Sequence, residues 1–546
     1  MSLFLAFLVA LSITAALIPP LARWAPSIGL TDKPGPRKVH SAPVPRVGGI
    51  AMACGMLIPA WFALEPSLPL QGVLLGLVVL LIVGVWDDRV DLHYRVKFLG
   101  QIVAVTLCLA VGDVRIEALS LGDQITLPAA VSWIATFLFL IGVTNAVNLS
   151  DGLDGLAGGM ALLCLCAIAL LAAASGNQMV MTLALIEAGA ILGFLRFNTH
   201  PARVFMGDGG SQVLGFTMGV LAILATQGDA VPVSAALPLL LIGLPIIDTA
   251  AVMVRRMREG RSPFASDRNH LHHRLLTLGF SHREAVTLIY ALQALLFLFA
   301  YFLRFESDLM VLLTFLTFAA ALLGALWWAT RQGWCAHREG EHGITVVLQA
   351  PHTFVTHARL PGWALAVMVA SLLVYAGAII FSTVEVGEDV GTLCLVMLVL
   401  LLASMVSRES RSWKWLESVA AYLSVVLVVY LDQTALDKPA LMSSVSWTLL
   451  GIAAVAALIR FWLSPARRLE VTSLDMLVVF IALVMPNLPG SLALPAQFTG
   501  GIAKAVVLLY VTEMVLSADF KRSVPRTCLM LMFGVLAARG LAAGYL

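Results

Sequence analysis

The run Asn145-Ala-Val-Asn148-Leu-Ser-Asp151-Gly-Leu-Asp154-Gly-Leu-Ala-Gly-Gly159 sets two carboxylates and two carboxamides directly behind an apolar segment, Val131–Val143. The glycines Gly152, Gly155, Gly158 and Gly159 let the backbone fold tightly and approach a ligand closely. A helix cap needs one such polar residue, and this run supplies four. Polar groups at a membrane boundary are costly, so they pair, bind or catalyse.

Four further clusters have the same character. Asp87-Asp88-Arg89-Val90-Asp91 holds adjacent acids, which repel one another unless a cation or basic partner joins them. Read blandly, it is a solvated loop with Arg89 as counter-ion. In Phe205-Met-Gly207-Asp208-Gly-Gly-Ser211, preceded by Asn198, one acid between glycines can reach a metal while freed amides face an anion. A turn with Ser211 as cap is the plainer alternative. Asp267-Arg268-Asn269-His270-Leu271-His272-His273-Arg274 brings three imidazoles that can bond phosphate, ligate a metal or move protons. No cysteine stands nearby and His272 and His273 are adjacent, which disfavours zinc there; the arginines favour an anion, or simply lipid headgroups. Lys33, Arg37, Lys38 and His40 lie in an early basic loop that ends in Gly48-Gly49, a hint of close phosphate approach. Charge bias toward the cytoplasm explains those basic residues without any function. Acids for a divalent metal, together with cations for phosphates, describe a site for a pyrophosphate-linked donor. Its depth at the membrane boundary suggests a lipid as the other reactant.

The elements that carry these clusters are set by composition. Of 546 residues 60% are hydrophobic and 12% charged, about half the usual charged fraction, and mean hydropathy is +0.94. The fold class is therefore all-α, a polytopic bundle, because its apolar blocks approach the roughly 20 residues a membrane helix needs. The net charge of +2, with basic residues segregated by loop, gives no reason to expect nucleic acid. Seven cysteines without a CxxC pair form neither a zinc site nor a disulfide framework. Residues 2–22 read as an uncleaved first span.

Eighteen crossings are predicted, centred near residues 12, 56, 78, 105, 138, 166, 188, 218, 243, 295, 319, 372, 398, 424, 454, 481, 507 and 534. With the amino terminus outside, the basic loops fall inside. Only Arg115, Arg304, Lys438, Lys504 and Arg539, five of 34 basic residues, fall on outward loops and ends. All the polar clusters then share the cytoplasmic face. The expected organisation is a domain over 1–330 with about eleven spans, a cytoplasmic linker over 331–362 with a β-like run Ile344–Leu348, and about seven spans over 363–546. Ionisable residues inside the later spans are few, and no internal repeat is visible.

The motifs DKPGPRKVHSAPVPRVGG (32–49), DDRVD (87–91), NAVNLSDGLDGLAGG (145–159), FN…PARVFMGDGGS (197–211) and PIIDT…RSPFASDRNHLHHRL (245–275) together resemble the polyprenyl-phosphate N-acetylhexosamine-1-phosphate transferases. These bacterial enzymes begin O-antigen, teichoic acid and related glycan synthesis. The match covers about residues 1–330 in family order, and the HLHHR form is similar to the N-acetylglucosamine-type branch. The resemblance implies transfer of a sugar 1-phosphate, most simply GlcNAc-1-phosphate, from a UDP-N-acetylhexosamine to undecaprenyl phosphate, releasing UMP. It implies Mg²⁺ or Mn²⁺ as cofactor and a multi-pass protein of the bacterial inner membrane. Carried over, Asp87 and Asp88 would deprotonate or orient the lipid phosphate, and Asp154 and Asp208 would hold the metal. Asn148 and Asp151 would position the nucleotide, and His270, His272 and His273 would bind donor phosphate or sugar. Lys33, Arg37, Lys38, His40, Asp91, Asn145, Asn198, Ser211 and Arg268 complete the substrate-binding candidates. Residues 363–546 depart from the family and resemble nothing nameable.

A carrier or flippase for an anionic glycolipid is the competing class. It should place ionisable residues in mid-membrane, often in inverted repeats, whereas these cluster at one face. A homo-oligomer is compatible with either reading.

Overall fold

The computed structural model describes residues 3–32, 43–120, 124–227, 233–262, 269–337, 360–382, 386–406, 414–434, 440–462 and 523–543, with isolated positions between 477 and 515. Its contacts divide the chain into two compact units, Met1–Ile344 and, in the main, Thr345–Leu546.

The first unit runs α1 (Leu3–Ile28), β1 (Thr31–Asp32), β2 (Val44–Pro45), α2 (Gly48–Ala63), α3 (Leu68–Val90), α4 (Tyr94–Gly112), β3 (Ala118–Ser120) and β4 (Gln124–Thr126). It continues through α5 (Ala129–Ser150), α6 (Leu156–Ala174), α7 (Gln178–Asn198), α8 (Gly207–Thr226), α9 (Pro238–Leu241), α10 (Gly243–Arg258), α11 (Leu271–Thr277), α12 (His282–Phe302) and α13 (Asp308–Arg331). The strands form two small antiparallel pairs, β1 with β2 and β3 with β4. Helices α6, α7 and α8 are the enclosed centre; α6 is apolar on every side, as a helix buried all round must be. Around them α1 packs on α7, α3 on α4 and α8, and α5 on α8.

Among the described residues ten helices are long and apolar enough to cross a membrane, and the chain is a polytopic helical membrane protein. Two expected crossings are shorter than predicted. The one near 56 is the 16-residue α2, with Pro59 inside it. The one near 243 is broken at Ile242 into α9 and α10, where Pro238, Gly243 and Pro245 interrupt the run and Arg255, Arg256 and Arg258 end it. Apart from Leu477, the crossing near 481 lies outside the described residues, as does all of Ile344–Leu348.

The second unit contains α14 (Leu360–Ser382), α15 (Glu388–Val406), α16 (Lys414–Thr434), α17 (Ala440–Trp462) and α18 (Ser523–Ala543). Leu365, Met368, Ala453, Ala456, Val511 and Val515 form a core between α14, α17 and the helical positions near 511. Lys504, counted among the outward loops and ends, is buried in an ion pair with Asp432, which also accepts the Tyr375 hydroxyl at 3.2 Å. Pairing with a carboxylate is what allows an ammonium to sit inside such a bundle.

Candidate functional site

The last turn of α3 carries Asp87 and Asp88, both buried. The helix stops at Asp91, in the left-handed region at φ 54°, whose amide bonds back to the Asp87 carbonyl at 2.8 Å. The Asp87 carboxylate accepts the Leu92 amide at 2.8 Å and pairs with Lys97. Lys97 Nζ lies 2.5 Å from Asp87 and 3.0 Å from Asp208, so one ammonium joins two carboxylates from α3 and α8. Asp88 accepts the amides of Asp208 at 3.0 Å and Gly209 at 3.3 Å, satisfying donors that the start of α8 leaves without intrahelical partners. Arg46 pairs with Asp32 and stands 3.7 Å from Asp88.

This closeness depends on glycine. A Cβ at Gly84 would lie 2.2 Å from Gly209 Cα, so α3 and α8 could not cross with side chains at that point. Gly48 and Gly49 serve packing too. Their amides bond the carbonyls of Phe205 and Met206 at 3.0 and 2.9 Å, and a Cβ on Gly49 would strike Gly210.

Behind α5 the loop 151–155 makes four separate attachments. Asp151 lies within electrostatic reach of the other acids: burial, then Asp208, Asp88 and Asp154, push its carboxyl up to about 7. Gly152 lies under the His272 ring, where a Cβ would come within 2.1 Å of Nε2. Asp154 accepts from the Ala202 amide at 3.0 Å and lies 2.7 Å from His200 Nδ1. Burial raises the Asp154 carboxyl, but the bonds from His200 and Ala202 outweigh it and hold the group below its ordinary value. Gly155, at φ 79°, donates its amide to Asn198 at 2.9 Å and accepts the Tyr290 hydroxyl at 2.6 Å.

The structure therefore gathers Asp87, Asp88, Asp151 and Asp208, with Lys97 and Arg46 as counter-ions. Asn148 joins them through Ser211, at 2.7 Å. Asp154 Oδ2 is engaged by His200 and Ala202. Asn198, expected to bind substrate, is buried with both ends of its amide satisfied, by Gly155 and Val204, and acts as a bolt between two loops. Asn145 likewise faces inward, bonded to Gln101 at 2.7 Å in a network that reaches Gln212. Asp91 is an exposed helix end.

His270 is held by Asp248, its Nδ1 2.9 Å from the carboxylate, which also accepts the Leu271 amide at 2.7 Å. His272 is buried, stacked parallel to His270 at 6.0 Å and tilted against His273 at 4.3 Å. Burial, and then the neighbouring imidazoles, drive its pKa down to about 3, so it presents a neutral ring. Lys33, Arg37, Lys38, His40 and Arg268 lie outside the described residues.

The acids outnumber the two cations around them, and after burial the carboxylates of Asp208, Asp88 and Asp154 add to the upward push on Asp151. The cluster's hard oxygen donors fit a divalent ion of the Mg²⁺ or Mn²⁺ kind. Sequence reading missed Lys97, Arg46, Asp248, His200 and His282. Lys97 and Arg46 are indistinguishable from the general inward basic bias, and the histidines stand alone in the sequence.

The family model described as glycosyl transferase family 4 matches residues 70–226, which hold Asp87, Asp88, Asp151 and Asp208. A probable undecaprenyl-phosphate N-acetylglucosaminyl 1-phosphate transferase of Bacillus subtilis is 35% identical over 289 residues, spanning 80% of that protein and 52% of this chain. An undecaprenyl-phosphate alpha-N-acetylglucosaminyl 1-phosphate transferase of Escherichia coli is 31% identical over 302 residues, 82% of its length and 54% of this chain. A decaprenyl-phosphate N-acetylglucosaminephosphotransferase of Mycolicibacterium smegmatis is 37% identical over 295 residues, 72% of its length and 48% of this chain.

Proposed function

The chain belongs to glycosyl transferase family 4, and from that premise we propose that it transfers an N-acetylhexosamine 1-phosphate, GlcNAc-1-phosphate in the simplest case, from a UDP-sugar to undecaprenyl phosphate. The products are a polyprenyl-diphosphate sugar and UMP, and the site faces the cytoplasm of a bacterial inner membrane. The relatives named for this reaction support the reading, and one observation carries it: the convergence of Asp87, Asp88, Asp151 and Asp208 with Lys97 and Arg46.

In this reading an oxygen of the lipid phosphate attacks the sugar-bearing phosphorus, and the bond to UMP breaks. A phosphate monoester has its second pKa at about 6, so the attacking oxygen is already ionised at neutral pH and needs no strong base. That suits the geometry of Asp87 and Asp88, whose carboxylates are committed to Leu92 and Lys97 and to the start of α8. Asp87 then orients Lys97, and Asp88 orients the Asp208 turn. Lys97 and Arg46 offset phosphate charge as the two anionic reactants approach, which is most of what phosphoryl transfer requires. Asp208 would hold Mg²⁺ or Mn²⁺, with Asp87 as the carboxylate across Lys97; bound there, the metal would neutralise the donor pyrophosphate. Asn148 and Asp151 position the nucleotide. His273, with His270 and His272 fixed behind it by Asp248 and Gly152, meets the donor phosphate or sugar.

The test is purified full-length protein with radiolabelled UDP-GlcNAc, undecaprenyl phosphate and Mg²⁺. Labelled lipid is the expected product. Movement of a preformed glycolipid across vesicles, with no lipid labelled from UDP-sugar, would favour the carrier reading instead.

A further inference from the structure

Asp154, His200 and His282 come from three separate segments: the loop behind α5, the loop before α8 and the first residue of α12. One donor atom from each lies within 4.8 Å of the other two. Asp154 Oδ2 is 2.7 Å from His200 Nδ1, and the rings of His200 and His282 stack with centroids 4.1 Å apart. The hydrogen bonding of His282 is incomplete. Its Nε2 accepts the Asp154 amide at a long 3.2 Å, while its Nδ1 is buried with no partner among the described residues.

The three supports are rigid. Gly155, next to Asp154, is bonded to Asn198 and Tyr290, and Asn198 also holds Val204 in the loop that carries His200. His282 opens a helix capped by Ser281 and Glu284 in a reciprocal capping box. Side chains placed on fixed backbone in this way are preorganised for a ligand.

Two imidazoles with one carboxylate are a donor set for zinc-like ions, whereas Mg²⁺ prefers oxygen alone. Metal bonds to such donors are about 2.0–2.2 Å, so the ligands must close by side-chain rotations on the order of 1 Å. Three protein ligands leave a fourth position open. We propose that Asp154, His200 and His282 form a binding site for a borderline divalent transition cation such as Zn²⁺, separate from the acidic cluster around Asp208. The site stands on its own donors and does not rest on the transferase reading. Occupied, it ties together the loop 151–155, the loop before α8 and the start of α12.

The test is a cobalt titration of full-length protein in detergent, stripped with chelator and held in excess Mg²⁺, followed by visible absorption. One equivalent of Co²⁺ should bind with nitrogen–oxygen ligand-field bands, and Zn²⁺ should displace it. His200→Ala and His282→Ala should each weaken binding by more than the roughly 10- to 100-fold that loss of an outer partner costs a metal site. His273→Ala should leave it intact. His200 is more than a third exposed, so its removal deletes a ligand with little loss of packing. Absence of stoichiometric Co²⁺, displacement by excess Mg²⁺, or a site that survives His200→Ala would overturn the proposal and leave the three residues a hydrogen-bonded latch.

Discussion

Lys97 Nζ lies 3.0 Å from the Asp208 carboxylate and 2.5 Å from that of Asp87, so a single ammonium on α4 holds together acids from α3 and α8. Two carboxylates this close repel without a cation between them. The arrangement makes Lys97 the residue on which the charge balance of the site turns.

Replacing it tests that balance. Lys97→Met should lower turnover on the order of 100-fold, the usual cost of removing a group that stabilises developing charge. Mn²⁺ affinity, followed by electron paramagnetic resonance, should be kept or increased, because the acids lose their resident cation. Turnover within an order of magnitude of the parent would remove Lys97 from the account.

A second prediction concerns the seat of the loop 151–155. Gly152→Ala places a methyl 2.1 Å from His272 Nε2, on a ring that is 3% exposed. Overpacking of this kind costs about 1–3 kcal/mol, and the loop should shift with loss of activity. The double variant Gly152→Ala/His272→Ala should melt above the single one, since it removes the clash. A single variant that melts and turns over like the parent would show that the loop is not seated on His272.

Lys97 also marks where sequence and structure part. The acids were legible because membrane-edge carboxylates are costly and come in runs, and the helical class followed from apolar length alone. Lys97 was not legible, since an inward lysine looks the same whether it pairs with Asp208 or faces headgroups. Asn198 and Gly48-Gly49 carry the opposite ambiguity. Amides and glycines that suit a ligand equally suit a loop packed on a helix start, and only the bonds to Gly155, Val204, Phe205 and Met206 decide between them. Lys504 shows the same limit: its partner, Asp432, is 72 residues away in sequence, so the pair cannot be read locally.

His272 gives the pH dependence a sign. Its pKa is near 3 in the folded protein, against 6.5 for an ordinary imidazole, chiefly through burial. Below pH 6.5 the unfolded chain takes up a proton that the folded chain refuses, so this residue's contribution to stability is full above 6.5 and falls as pH drops toward 3. Thermal unfolding followed from pH 8 to pH 5 should show that loss, about as predicted for one histidine, and His272→Gln should flatten it. An unchanged slope in the variant would mean that His272 titrates normally.

The most direct measurement follows phosphorus rather than sugar. UDP-GlcNAc carrying radiophosphorus in its β-phosphate is incubated with undecaprenyl phosphate, Mg²⁺ and full-length protein. The account predicts that the label moves into the lipid while unlabelled UMP is released, and that Asp208→Asn protein, intact by its unfolding profile, moves none. Lipid that gains sugar without the label, or label that remains in UDP, would contradict transfer of a sugar phosphate at this site.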